Sequence, residues 1–566
     1  MSQQLEQATQ LHQQGEFEQA KVAYQAYLKA YPQDGVAHEK LAVLFAQCGE
    51  LPTAKKYLQQ AVKLGLTQAS TYNYLGNVCK QLGQIDEAIE AFEQALTHAP
   101  AFAPSYNNLA NVYFLLGDFA KAKNYYLQSI NLAPDYVDGL VNLATCHLKL
   151  DDLQQAKTIL NKAHQLEPSH RKVCLLLGNI ALENNAIEQA RQYYEQANND
   201  EIVNADLLNN LAACCIRMDD MNSAENYFLK IIQTYPDNLI AISNLAHLYF
   251  NMNAFAQAIT YYNQLLHVPT EQYASHFQLG IIYMRQRKWE SAFSHFDEVL
   301  KQNPQDVKAQ INFATIYLKL GEEALAIKHY QLALSIEPAN EIAQYRLATL
   351  TTQSMPQSAP KAYITQLFDD YAQHFDLDLM EKLNYRLPDL LYQSVEFHLP
   401  AGKQLNMVDL GCGTGLAARL FQKHTKQLIG IDLSEKMLEL AEKKGYYDRL
   451  LCCELCVGLS QIKIASDLII AADVFVYLGD LNQVFASVYQ KLDKQGVFVF
   501  TVEQGFEADY FLQKTGRYAH HKNYIHRLIA MHSFERLDEQ CISLRKQQGK
   551  EVMGYLFVLK KVSSSE

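Results

Sequence analysis

The sequence predicts an all-α superhelix of helical hairpins, followed by a doubly wound α/β domain. Three observations carry this expectation. A 34-residue period runs without slippage from residue 1 to residue 340. Beyond it, short apolar runs alternate with amphipathic stretches, the order of parallel strands and crossover helices. The first of those runs ends in a glycine-rich turn. At 566 residues, 49% hydrophobic and 11% aromatic, the chain can bury several cores. No apolar run reaches the ~18 residues of a membrane span, and the N-terminus lacks the basic and apolar regions of a signal peptide. The eleven cysteines read as reduced thiols of a cytoplasmic protein. A formal charge of −12 argues against nucleic acid as a partner.

Stepping by 34 from Ala20 meets Ala54, Ala88, Ala122, Ala156, Ala190, Ala224, Ala258, Ala292 and Ala326. Twelve residues before each lies Ala or Gly, and four residues after each lies Tyr, Phe or Leu, as in the trio Gly178, Ala190 and Tyr194. Small residues at two positions let paired helices approach, and the large one fills the gap they leave. Glycines such as Gly15, Gly49, Gly83, Gly117 and Gly321 end the first helix of a pair, and prolines such as Pro100 and Pro304 close the unit. Ten such units resemble tetratricopeptide repeats. The resemblance implies a stack with a long concave groove, and residues 341–352 read as a capping helix.

Position six of the units holds Asn108, Asn142, Asn210, Asn244 and Asn312. This ladder resembles the one lining the repeat groove of O-GlcNAc transferase, where carboxamides pair with an extended peptide. The expected partner is therefore a protein or peptide. Hydrogen bonding between neighbouring helices is the alternative use of the same side chains. Residues 361–566 carry a net charge of −2, which leaves −10 on the preceding part of the chain and favours neutral or basic ligands.

The 34-residue register stops at a Pro/Ser/Gln linker, 353–360. Runs at 404–410, 427–433, 467–473 and 496–503 read as buried parallel strands. Stretches at 416–424, 434–444 and 481–492 read as the helices between them, and the tail as two strands joined near Gln547–Lys550. Strand one ends in Asp409-Leu410-Gly411-Cys412-Gly413-Thr414-Gly415, where glycines let the backbone turn sharply against a ligand beside a helix N-terminus. The G-x-G-x-G spacing departs from the dinucleotide fingerprint. Asp432 ends strand two, where a carboxylate can accept both hydroxyls of a ribose.

Residues 361–566 resemble a class I, Rossmann-like, S-adenosylmethionine-dependent methyltransferase domain, and the whole chain resembles bacterial methyltransferases fused to tetratricopeptide repeats. The resemblance places Asp409, Gly411, Cys412, Gly413 and Gly415 around the methionine moiety of S-adenosyl-L-methionine. Asp432 would hold the ribose, Leu433 and Met437 the adenine face, Glu454 the adenine amine, and Asp473 the methionine end. Tyr371 and Phe375, four apart on an expected lid helix, would cover the cofactor or serve ordinary helix packing.

Methyl transfer is an in-line displacement governed by positioning, and a base is needed only where the acceptor must lose a proton. Residues 516–527 resemble the family's acceptor segment. Arg517 would hold an acceptor carboxylate, His520 or His521 would take a proton, and Tyr477 is a further candidate, with exposed loop polarity the alternative. Cys452, Cys453 and Cys456 are expected along strand three as core thiols, and no metal is implied. The expectation is a cytoplasmic methyltransferase whose repeats recruit a protein or peptide acceptor. The rivals are a scaffold with a cofactor-sensing or inactive domain, and a small-molecule methyltransferase assembled through its repeats.

Overall fold

The computed structural model describes residues 3–198, 203–351, 355–377, 386–399, 404–506, 508–547 and 550–562. Two units emerge, Met1–Leu265 and Leu266–Glu566. The first contains helical hairpins from Gln3–Gln13 with Phe17–Ala30 to Leu239–Asn251 with Phe255–Leu265. The second begins with two more hairpins, Gln272–Arg285 with Trp289–Gln302 and Val307–Leu320 with Glu323–Ile336, and a helix Glu341–Ala348. The α/β domain follows within this unit.

Repeat packing follows from the residues that define the period. All ten alanines of the Ala20 series are fully buried, and so are the large residues four positions later. A Cβ built on Gly76, Gly178 or Gly280 would lie 2.5, 2.5 or 2.7 Å from the ring of Phe92, Tyr194 or Phe296. Glycine there is the seat of the aromatic, not a source of flexibility. The turn between paired helices needs a left-handed residue at the same place in every unit. Gly15, Gly49, Gly83, Gly117, Asp151, Asn185, Asp219, Asn253, Arg287 and Gly321 all have positive φ.

In the α/β domain, β1 (Leu405–Leu410), β2 (Thr425–Asp432), β3 (Arg449–Cys452), β4 (Ser466–Ala471) and β5 (Leu492–Gln504) form a parallel core in the order β3-β2-β1-β4-β5. Short strands β6 (Tyr510–Leu512) and β7 (Tyr518–His520) join the end of β5. The long strands β8 (Phe534–Gln547) and β9 (Lys550–Lys561) extend the sheet antiparallel beyond β5. Alternation along the strands builds a core on each face. Val408, Leu410, Ile429 and Ile431 pack on one side. Leu405, Met407, Leu428 and Leu468 pack on the other. The order reverses between β1 and β4, so the C-terminal ends of these strands frame a crevice.

Three local expectations change. The stretch expected as one helix over 416–424 is a short helix, Ala418–Phe421, and a 3₁₀ turn. Cys452 ends β3, but Cys453 follows the strand and Cys456 lies in the helix Leu455–Gln461. The exposed loop that is the alternative at 516–527 gives way to β7, which His520 ends, and to a helix from Lys522, which His521 caps by accepting from the Asn523 N–H at 3.1 Å. Residues 548–549 of the expected tail turn lie outside the described residues.

Candidate functional site

The turn after β1 carries three glycines with positive φ. A Cβ on Gly411 would lie 2.4 Å from Val474, and one on Gly415 would lie 2.9 Å from the Tyr447 ring. At Gly413 only Phe375 comes within 4 Å, at 3.7 Å, so this peptide faces open space. The loop is tied to β2 at both levels. Gly411 and Cys412 donate backbone N–H groups to the Ile431 carbonyl at 2.8 and 3.1 Å. Gly413 N–H donates to Asp432 Oδ2 at 2.8 Å, and Ser434 N–H to Oδ1 at 2.9 Å. Burial raises the Asp432 pKa, and the backbone donors of Ser434, Gly413 and Leu433 pull it back.

A cavity of about 430 Å³ opens over this turn. Asp409, Gly411, Cys412, Gly413, Asp432, Leu433, Asp473 and Phe375 of the expected cofactor set line it, together with Tyr477 and Arg517. Gly415 shapes the loop from behind, and Met437 is buried in the helix Glu435–Lys444. Glu454 is exposed at the start of the helix Leu455–Gln461, and the wall there is Leu455 instead. Tyr371's side chain lies outside the described residues.

The helix Lys361–Leu377, expected as the lid, brings Ile364, Leu367, Phe368 and Phe375 to the cavity. Its carboxylates tie it to the glycine turn and to the helix Glu435–Lys444: Thr414 and Lys444 both donate to Asp376, and Ser434, which caps that helix, donates to Asp369 at 2.5 Å. Below the loop, Tyr447 donates to Asp409 at 2.7 Å. Burial raises the Asp409 carboxyl to about 7, against the pull of the Tyr447 hydroxyl. Burial, then the charges of Asp432 and Asp409, push the Cys412 thiol well above its ordinary value, so it stays neutral.

The opposite wall is built from buried ions. Arg545, on β8, donates to Asp473 at 2.6 Å and also to Glu503, while Gln513 donates to Glu503 at 2.6 Å. Arg545 Nε has no partner among the described residues. Asp473 sits at φ 55°, its N–H donating to the Thr501 hydroxyl at 3.0 Å. Burial lowers the Arg517 pKa, but Tyr477, Asp473 and Glu503 outweigh it and the net direction is up. Burial raises the Tyr477 pKa, so its hydroxyl stays protonated. The structure leaves both histidines off this wall. His520 is fully buried with Nε2 3.0 Å from the Gly479 carbonyl, and burial lowers its pKa to about 4. His521 serves as the helix cap. Arg545, Tyr447, Asp369, Asp376 and Arg287 of the ninth repeat are site residues that local motifs did not reveal.

In the repeats, Asn108 donates to Asn73 at 3.0 Å, Asn142 to Asn107 at 3.2 Å and Asn210 to Asn179 at 3.3 Å. These three tie neighbouring repeats together. Asn244 is exposed and Asn312 half-buried. No helix among the described residues is long and apolar enough to cross a membrane.

Comparison with known proteins agrees with this architecture. Residues 408–500 match the methyltransferase domain, and residues 5–70, 243–307 and 277–341 match the tetratricopeptide repeat. Residues 59–230 match the C-terminal domain of cilia and flagella-associated protein 70. The chain therefore joins tetratricopeptide repeats to a methyltransferase domain of Rossmann-like fold. It is 33% identical over 117 residues to a probable S-adenosylmethionine-dependent methyltransferase, CRG1, of Saccharomyces cerevisiae, covering 20% of this chain and 39% of that one. It is 28% identical over 147 residues to the malonyl-[acyl-carrier protein] O-methyltransferase of Priestia megaterium, covering 25% and 51%. Human methyltransferase-like protein 27 is 37% identical over 103 residues, covering 18% and 40%. The chain thus spans about half or less of each relative's length. Among solved structures, pilF of Pseudomonas aeruginosa aligns at 22% identity and TM-score 0.35, covering 39% of this chain and 98% of that one.

Proposed function

We propose that the C-terminal domain is an S-adenosylmethionine-dependent methyltransferase acting in the cytoplasm, and that the repeats bring it a protein or peptide acceptor or partner. One observation carries the cofactor assignment. The Asp432 carboxylate borders the cavity beside a glycine turn, and each of its oxygens is already fixed by one backbone N–H. Each oxygen keeps a second lone pair, so the pair can accept two vicinal ribose hydroxyls. Gly413 leaves room for close approach, Leu433 and Leu455 supply apolar walls for a purine, and Asp409 lies under the end of the turn. These residues fit an adenosyl cofactor.

When bound, S-adenosylmethionine supplies an electrophilic methyl group. This chain's residues bind, orient and exclude water. The lid helix covers the turn and lays Phe375 over it, an aromatic face suited to a cation. Arg517 fixes the Tyr477 hydroxyl, which can orient an acceptor atom. For the repeats, exposed Asn244 is the peptide-contacting candidate, joined by the side-chain carbonyls of Asn108, Asn142, Asn210 and Asn312.

The test is incubation of the full chain with methyl-labelled S-adenosylmethionine and separated protein and metabolite fractions. Label should enter at least one fraction with stoichiometric release of S-adenosylhomocysteine, and Asp432→Ala should reduce this at least tenfold. Cofactor binding without release in any fraction would favour the scaffold reading. Label confined to metabolites would favour a small-molecule acceptor.

A further inference from the structure

We propose that Arg287, in the turn of the ninth repeat, is an acceptor-recognition residue that holds a carboxylate of the methyl acceptor at the cavity mouth. This rests on the methyltransferase reading above and names the substrate class.

The first observation is conformational. The ten repeat turns all require a left-handed residue. Nine use Gly, Asn or Asp, the residues that tolerate this region. The ninth repeat alone places arginine there, at φ 58°. A long side chain at a position that disfavours it marks a site where strain is retained for another purpose.

The second observation is position. The Arg287 side chain lines the cavity that also contains Asp432 and Arg517, and it is exposed at the mouth. Among the described residues it has no carboxylate partner. Lys319 lies near enough that its pKa, lowered mainly by burial, is lowered further by Arg346 and Arg287. Lys319 and Arg346 thus add positive charge near Arg287. Deeper in, Arg545 and Arg517 are offset by Asp473 and Glu503, which makes that wall a nearly neutral, rigid support, with Arg545 Nε unpartnered. A planar guanidinium matches a carboxylate in two parallel hydrogen bonds.

The third observation is that Arg287 belongs to the same unit as the domain, which is held to the tenth repeat, the helix Glu341–Ala348 and the segment 355–360 by several contacts. Tyr345 donates to the carbonyl of Gly516, beside Arg517, at 2.9 Å. Tyr518 donates to the Pro356 carbonyl at 2.6 Å, and Lys514 pairs with Glu323 at 2.9 Å. Tyr345, Tyr363, Tyr477 and Tyr518 share one apolar cluster. The ninth repeat thus contributes a side chain to the acceptor end of the cavity.

A carboxylate is also carried by the cofactor itself, and the experiment separates the two sources. Isothermal titration calorimetry on the full chain would measure S-adenosylhomocysteine, then glutarate and its uncharged diamide as probes on the S-adenosylhomocysteine-saturated protein. The variants are Arg287→Asn, which suits positive φ, and Arg287→Lys. The expected result is binding of glutarate but not the diamide, weakened at least fivefold in Arg287→Asn and less in Arg287→Lys. S-adenosylhomocysteine affinity should stay within twofold and the melting temperature should not fall. Absence of glutarate binding, or equal binding by Arg287→Asn, overturns the proposal. Weakened S-adenosylhomocysteine binding in Arg287→Asn assigns the guanidinium to the cofactor carboxylate and overturns it too. Failure of the wild type to bind S-adenosylhomocysteine strikes the methyltransferase reading itself.

Discussion

Replacing Asp409 by Asn should stabilise the protein at neutral and alkaline pH. In the folded state burial lifts this carboxyl from 3.8 to about 7. Its folded pKa lies above its unfolded pKa, so folding is favoured by the proton it retains. That contribution is complete below pH ~4 and is lost as pH rises through ~7. A rise of about three pH units, at ~1.4 kcal/mol each, corresponds to about 4 kcal/mol of stability lost by the wild type between pH 4 and pH 8. Asparagine accepts the same hydrogen bond from Tyr447 and never ionises. At ~2–4 °C per kcal/mol, the C-terminal unit's melting temperature at pH 8 should rise in the variant by ~8–16 °C. At pH 4 this electrostatic advantage should vanish. Differential scanning calorimetry from pH 4 to pH 8 reads the effect. Parallel pH profiles for the two proteins would refute the claim that buried Asp409 carries an electrostatic cost into the folded state.

The same carboxyl should make cationic S-adenosylmethionine bind with proton release below pH 7, so its affinity should rise with pH and level off above ~7 in titrations across buffers. Arg545→Met should cost about 3–5 kcal/mol, because Asp473 and Glu503 would be left buried without their shared cation, read as a fall in the C-terminal unit's melting temperature. Gly178→Ala forces a Cβ against the Tyr194 ring, and overpacking of about 1–3 kcal/mol should outweigh the ~1 kcal/mol gained in helix propensity, measured by denaturant unfolding.

The repeat array was legible because every unit solves the same packing problem. Ala190 needs Gly178 and Tyr194 at fixed offsets, and a 34-residue step repeats that solution. The glycine turn and the Asp432 carboxylate beside it were legible because the backbone conformation of such a turn constrains residues close together in the chain. Arg545 was not, since it reaches Asp473 from a strand 72 residues further on, and no local pattern encodes that pairing. Arg287 was hidden for a different reason: its role shows only when its turn is compared with nine others and the cavity is seen beside it. His520 looked chemically apt from its neighbours, but pairing of β7 with β5 and β6 buries it, and its imidazole serves the Gly479 carbonyl.

Equilibrium binding of S-adenosylmethionine to the full chain is the most direct measurement of whether Asp432 and the glycine turn form a cofactor site. One molecule should bind per chain, and Asp432→Ala should weaken it at least tenfold while Asn244→Ala leaves it unchanged. No saturable binding by the wild type, or equal binding by Asp432→Ala, would contradict the assignment.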